Sequence, residues 1–127
     1  AMLRSVVRDH HITVMFPGHR LFHSGVWNLL DPEKRAEELV AHHIQRCSDI
    51  LDLLKDGPLC AEEIARNHFE QHLLEGFGIN MAVNEILSHC ELMERTGDVA
   101  AADNGKFIPV GTQHFECFIR GVHESFV

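Results

Sequence analysis

The chain has 127 residues, with 11 Lys and Arg against 19 Asp and Glu, and a formal net charge of −8 with histidine neutral. That length suits one compact domain with a short appendage, and 45% apolar with 24% charged residues is globular composition that excludes a disordered chain or a coiled coil. No apolar run approaches the roughly 20 residues that cross a bilayer and no signal peptide is visible, so a soluble, cytoplasmic protein is expected.

The carboxylate surplus argues against non-specific affinity for nucleic acid or anionic lipid, which needs clustered Lys and Arg. Protonating all eleven histidines would turn −8 into +3. At a reference pKa of about 6.5 most are neutral at pH 7, so the chain stays acidic. Cys47, Cys60, Cys90 and Cys117 contain no C-x-x-C pair. Three fall where helix or strand core is expected, so they read as unpaired thiols in a reducing compartment.

Ala1 ahead of Met2 suggests a piece taken from a longer protein. Leu3, Val6 and Val7 have helical spacing within Met2–Arg8, and Ile12–Phe16 reads as a buried strand closed by Pro17-Gly18. A lone helix and strand cannot bury their own faces, so they imply an incomplete sheet. A long helix follows, capped by Asp31 with Pro32 at its first position. Its apolar stripe is Val40, Ile44, Cys47, Leu51 and Leu54, and Asp56-Gly57-Pro58 stops it.

A shorter helix is predicted at about Ala61–Phe69, with Ile64, Ala65 and Phe69 on one face, then an irregular or short-helical connection from Glu70 to Gly78. Asn80 is expected to cap a third helix bearing Val83, Ile86 or Leu87, Cys90 and Met93, ending at Thr96-Gly97. Val99–Ala101 and Lys106–Ile108 flank Asp103-Asn104-Gly105, which predicts a β-hairpin with a two-residue type I′ Asn-Gly turn. His114–Ile119 reads as β-like. Three helices followed by a hairpin is the layout of a winged helix, in an α+β, mainly helical chain.

Zinc needs three or four converging His, Cys or carboxylate ligands. The pairs His10-His11, His42-His43 and His68 with His72 lack a supporting second cluster, and His68 and His72 would share a face only if one helix ran through both. His19 is better placed, because Pro17-Gly18 would hold it at a rigid strand end. A DNA reader needs cations on its recognition helix. From Pro58 to Arg95 there are only Arg66 and Arg95, against Glu62, Glu63, Glu70, Glu75, Glu85, Glu91 and Glu94. At the wing tip Asp103 and Lys106 cancel. No nucleophile elbow or phosphate-cradling glycine loop is present, Ser24, Ser48 and Ser88 read as loop or solvated residues, and Trp27 reads as an anchor packing the junction before the long helix.

The strand end Phe16-Pro17-Gly18-His19, and the long helix with His43 and Arg46 before Ile50-Leu51, resemble the C-terminal part of metallo-β-lactamase-fold hydrolases. Gly57-Pro58-Leu59, Ala61–Ala65 and Ile86–Met93 resemble the winged helix appended to many of them. The resemblance spans about Met2 to Val110. It implies that residues 1–30 are the helix–strand end of an αββα catalytic domain and residues 31–127 a winged-helix domain with a tail. It also implies that His19 is the last zinc-binding histidine of the intact parent.

The family's His-x-His-x-Asp-His motif is absent from this chain, so the chain alone should be inactive and bind no zinc tightly. Cys60 stands where the family usually has Thr or Ser, and Cys90 where it usually has Leu. The partners implied are the rest of the catalytic domain and a small ester or thioester-like substrate, with the winged helix as cleft wall or homodimer surface and neither nucleic acid nor membrane as partner. The alternatives are a DNA-binding transcriptional regulator and a protein-interaction module.

Overall fold

The computed structural model describes residues 22–27 and 29–125. The expected Met2–Arg8 helix, the Ile12–Phe16 strand and His19 lie outside the described residues. Among those described, the fold is α+β and mainly helical, with four α-helices and two small antiparallel sheets. Two compact units are distinguished, one of residues up to His42 with Ile119 onward, the other His43–Phe118.

In the first unit, β1 (Phe22–His23) pairs with β2 (Val26–Trp27). Ser24 (φ 52°) and Gly25 (φ 80°) form the turn, and positive φ at both central residues is the type I′ geometry of a two-residue hairpin. Trp27 is 65% exposed, so it is not the packed anchor the sequence suggests.

The unit boundary falls within α1 (Pro32–Leu54). Its start is as predicted: Asp31 Oδ1 accepts the Lys34 N–H at 3.0 Å, and Pro32 follows the cap. Cys47, Ile50, Leu51 and Leu54 are buried, whereas Val40 and Ile44 are half-buried. Each fully buried large side chain contributes about 1.5–3 kcal/mol. The helix ends at Leu54, and the turn beyond it passes through Gly57, whose φ of 143° is closed to side chains.

β3 (Leu59–Cys60) leads into α2 (Ala61–His68), where the Glu63 carboxylate accepts the Cys60 N–H at 2.8 Å. That reciprocal contact fixes the first turn, and it holds the Glu63 carboxyl below its ordinary range. Ile64 and Ala65 are buried. A 3₁₀ turn (Gln71–Leu74) follows, with Leu74 inside.

α3 (Gly78–Thr96) starts two residues before the expected Asn80 cap. The backbone performs the capping: Gly78 N–H donates to Glu75 O at 3.0 Å and Met81 N–H to Phe77 O at 3.2 Å, leaving Asn80 exposed in the first turn. Its buried face is Ala82, Ile86, His89, Cys90 and Met93. The helix closes on Gly97 (φ 82°), with Gly97 N–H to Glu94 O and Asp98 N–H to Met93 O, a Schellman pair.

β4 (Val99–Ala101) and β5 (Lys106–Pro109) complete an antiparallel sheet in the order β3-β5-β4. Phe107 lies opposite both Leu59 and Ala101 and is buried. The hairpin is present but its turn is not type I′. Ala102 N–H donates to Lys106 O at 2.7 Å across a three-residue loop, and only Gly105 has positive φ (74°). This is a type I turn with a glycine bulge.

The β-like reading of His114–Ile119 is corrected: this segment enters α4 (Phe115–Ser125). The helix is started by Asp98, whose carboxylate accepts the N–H groups of His114 and Phe115, each at 2.6 Å. Phe115 is 1% exposed and belongs to the core of the second unit.

Candidate functional site

The densest cluster of chemistry-bearing side chains lies in the second unit, where the C-terminal half of α1 meets α2 and α3. His43, Arg46 and Asp49 recur every third residue on α1, on the side adjoining the buried Cys47–Ile50 stripe. Glu85 and His89 lie one turn apart on α3, the latter within its buried face. Helical spacing brings each set to one side.

His43 Nδ1 and His89 Nε2 are 3.0 Å apart, and their rings sit 5.1 Å apart at 35°. His89 Nδ1 lies 2.7 Å from Glu85 O. A carbonyl only accepts, so Nδ1 of His89 carries the hydrogen. In neutral His89, Nε2 then accepts from the Nδ1–H of His43.

Arg46 is 9% exposed and pairs with Glu85 at 2.5 Å. Its guanidinium also lies 4.7 Å over the Phe69 ring, a cation–π contact. His68 meets Phe69 edge-on at 4.8 Å, and its Nδ1 is 3.9 Å from Asp49 Oδ2. The cluster thus clasps three helices through three histidines, an ion pair and an aromatic ring.

Asp98 forms a second polar centre. It is fully buried and accepts the Thr96 and Thr112 hydroxyls besides the two α4 N–H groups, all four at 2.6 Å. Burial opposes its charged form, but the donors from Thr112, Thr96, His114 and Phe115 together outweigh that and hold the carboxyl below the usual range. Cys47 and Cys90 are buried thiols, each pushed up to about 12 chiefly by burial. Cys60 is half-buried and Cys117 exposed, and all four are free.

Of the sequence-derived metal candidates, His42, His43, His68 and His72 are among the described residues. Among the described residues no group of three or more His, Cys, Asp or Glu is placed to hold a metal ion. α2 stops at His68 and His72 lies in the 3₁₀ turn, 3.3 Å from Glu70, so no single helix runs through both and the condition for a shared face is not met. His42 is exposed on α1 beside the clasped His43. His10, His11 and His19 lie outside the described residues. The one zinc ligand that the resemblance implies within this chain, His19, is therefore not among the described residues.

Glu85 illustrates what sequence reading misses. Counted as one acid of a candidate recognition helix, it is engaged with Arg46 instead. The signal available was periodic: His89 falls among Ile86, Cys90 and Met93, which places it on the buried face of α3 without naming the element that face meets. The wing-tip cation is likewise engaged, with Lys106 Nζ 3.7 Å from Glu63. A cleft of about 260 Å³ at the α1–β3 turn, lined by Leu53, Asp56, Gly57, Pro58, Leu59 and Asn67, offers one carboxylate and no catalytic pair.

No helix among the described residues is long and apolar enough to cross a membrane. No protein-family model matches the chain, and no curated protein or solved structure matches it either.

Proposed function

We propose that the chain is the C-terminal part of a zinc-dependent hydrolase of the metallo-β-lactamase fold: the end of a catalytic domain followed by a winged helix that walls the substrate cleft or forms a dimer surface. The hydrolase half of this reading rests on the resemblance of Phe16-Pro17-Gly18-His19 and of the long helix with His43 and Arg46. The winged-helix half is supported by the order α1, β3, α2, α3, β4, β5 and the sheet order β3-β5-β4, in which β4–β5 is the wing.

The observation that carries the reading is that this topology comes with an acidic third helix. α3 exposes Glu91 and Glu94, Glu85 being paired with Arg46, and has no Lys or Arg before Arg95 in its last turn. A duplex set against it would meet like charge, and function is argued from the site rather than from the fold. In the first unit Val26 and Trp27 are each 65% exposed and Leu29 54%, an apolar stretch of the kind that packs on a neighbouring domain. Four free thiols suit a cytoplasmic setting.

In the parent, the substrate is a small ester or thioester, and His19 supplies one of the zinc ligands. This chain's described residues shape and stiffen the module beside the cleft. The test is zinc analysis and ester or thioester hydrolysis by the parent with its upstream residues restored. Bound zinc and hydrolysis, both reduced in His19→Ala, are expected. A parent with neither contradicts the reading.

A further inference from the structure

Leu73, Phe77 and Met81 are large apolar side chains left 51%, 83% and 73% exposed where the 3₁₀ turn enters α3. Phe77 and Met81 are one helical turn apart and joined by the Met81 N–H to Phe77 O bond. Leu73 is held close to them because its carbonyl packs onto Gly78, where a Cβ would collide with it. Together they expose roughly 400 Å², at the size where an apolar patch on a monomer is commonly functional.

The surroundings say what covers it. From Asn67 to Glu94 there is no Lys or Arg at all, and exposed Glu70 and Glu75 bracket Leu73 in the chain. A second copy would set these carboxylates against their own kind. An anionic bilayer is disfavoured by the same charge. We propose that Leu73, Phe77 and Met81 form a docking surface for a partner protein presenting an apolar segment flanked by Lys or Arg. This goes beyond the hydrolase reading and holds with or without it.

The probe is a fluorescein-labelled amphipathic peptide with a leucine face and a lysine face, compared by anisotropy on the full chain with a counterpart carrying Glu for every Lys. The Lys peptide should bind at least about tenfold more tightly than the Glu peptide, and its affinity should fall at least about threefold between 50 and 300 mM salt. Phe77→Ser/Met81→Ser should weaken it about tenfold or more, with unchanged helical circular dichroism. Glu70→Lys/Glu75→Lys, which alters only exposed side chains, should weaken the Lys peptide and strengthen the Glu peptide.

Equal affinity for both peptides, or no binding of the Lys peptide below about 100 µM, overturns the proposal. So does a concentration-dependent dimer in sedimentation that Phe77→Ser/Met81→Ser abolishes, which would assign the patch to a second copy. Binding to phosphatidylglycerol vesicles lost in the same variant would assign it to a membrane and overturn the proposal equally.

Discussion

Replacing Asp98 with alanine removes an acceptor that four donors share at 2.6 Å each. The two hydroxyls have alternatives already in place: Thr96 Oγ1 is 3.1 Å from Met93 O, and Thr112 Oγ1 is 3.3 Å from Gly97 O. The N–H groups of His114 and Phe115 sit at a helix start with the Asp98 carboxylate as their acceptor. Each unsatisfied buried donor costs about 1–3 kcal/mol, and fraying there also loosens Phe115, which is 1% exposed. The expected loss is therefore about 3–5 kcal/mol, a large share of the ~5–15 kcal/mol that holds a domain folded.

Urea unfolding followed by circular dichroism reads this as a lower midpoint. The pH dependence supplies a second reading. The folded carboxyl lies below its unfolded value of about 3.9, so its contribution is whole above that range and is lost as pH falls through the folded value. Asp98→Ala should be destabilised near pH 7, and the gap should narrow as the wild type is acidified below about pH 4. A variant within about 1 kcal/mol of wild type at pH 7, or a gap that does not narrow in acid, would refute the reasoning.

Three further outcomes follow from the packing. A double-mutant cycle of Arg46→Ala and Glu85→Ala should give a coupling of about 1–2 kcal/mol, since Arg46 is nearly buried while Glu85 keeps some solvent; additive losses would show that the pair is idle. Gly78→Ala should cost about 2–3 kcal/mol in thermal or urea unfolding, because the new methyl meets the Leu73 carbonyl rather than a movable side chain; a neutral result would contradict the close approach. Under native conditions a maleimide should label Cys117 first, Cys60 more slowly, and Cys47 and Cys90 only after denaturation, as mass spectrometry of time points would show; early labelling of Cys47 would contradict its burial.

Elements with local stop signals were the legible ones. Asp31-Pro32 and Asp56-Gly57-Pro58 bound α1, and Thr96-Gly97 ends α3, because cap and breaker lie within a few residues of the helix they act on. α4 was misread for the opposite reason: Phe115, Phe118 and Ile119 look β-favouring locally, while the carboxylate that starts the helix is Asp98, on the far side of the hairpin. Asn104-Gly105 announced a turn, but register across the hairpin decided its length. At the site, His43 and Arg46 were visible as residues. Their partners His89 and Glu85 are set by tertiary packing of α1 on α3, which no spacing within one helix reveals.

The proposed function requires that the acidic α3 repel nucleic acid. Titration of a labelled 20-base-pair duplex with the chain, at pH 7 and over a range of salt, tests this most directly. Affinity no better than about 100 µM even at low salt is predicted, with no measurable salt slope. Micromolar or tighter capture that falls steeply as salt rises would contradict it.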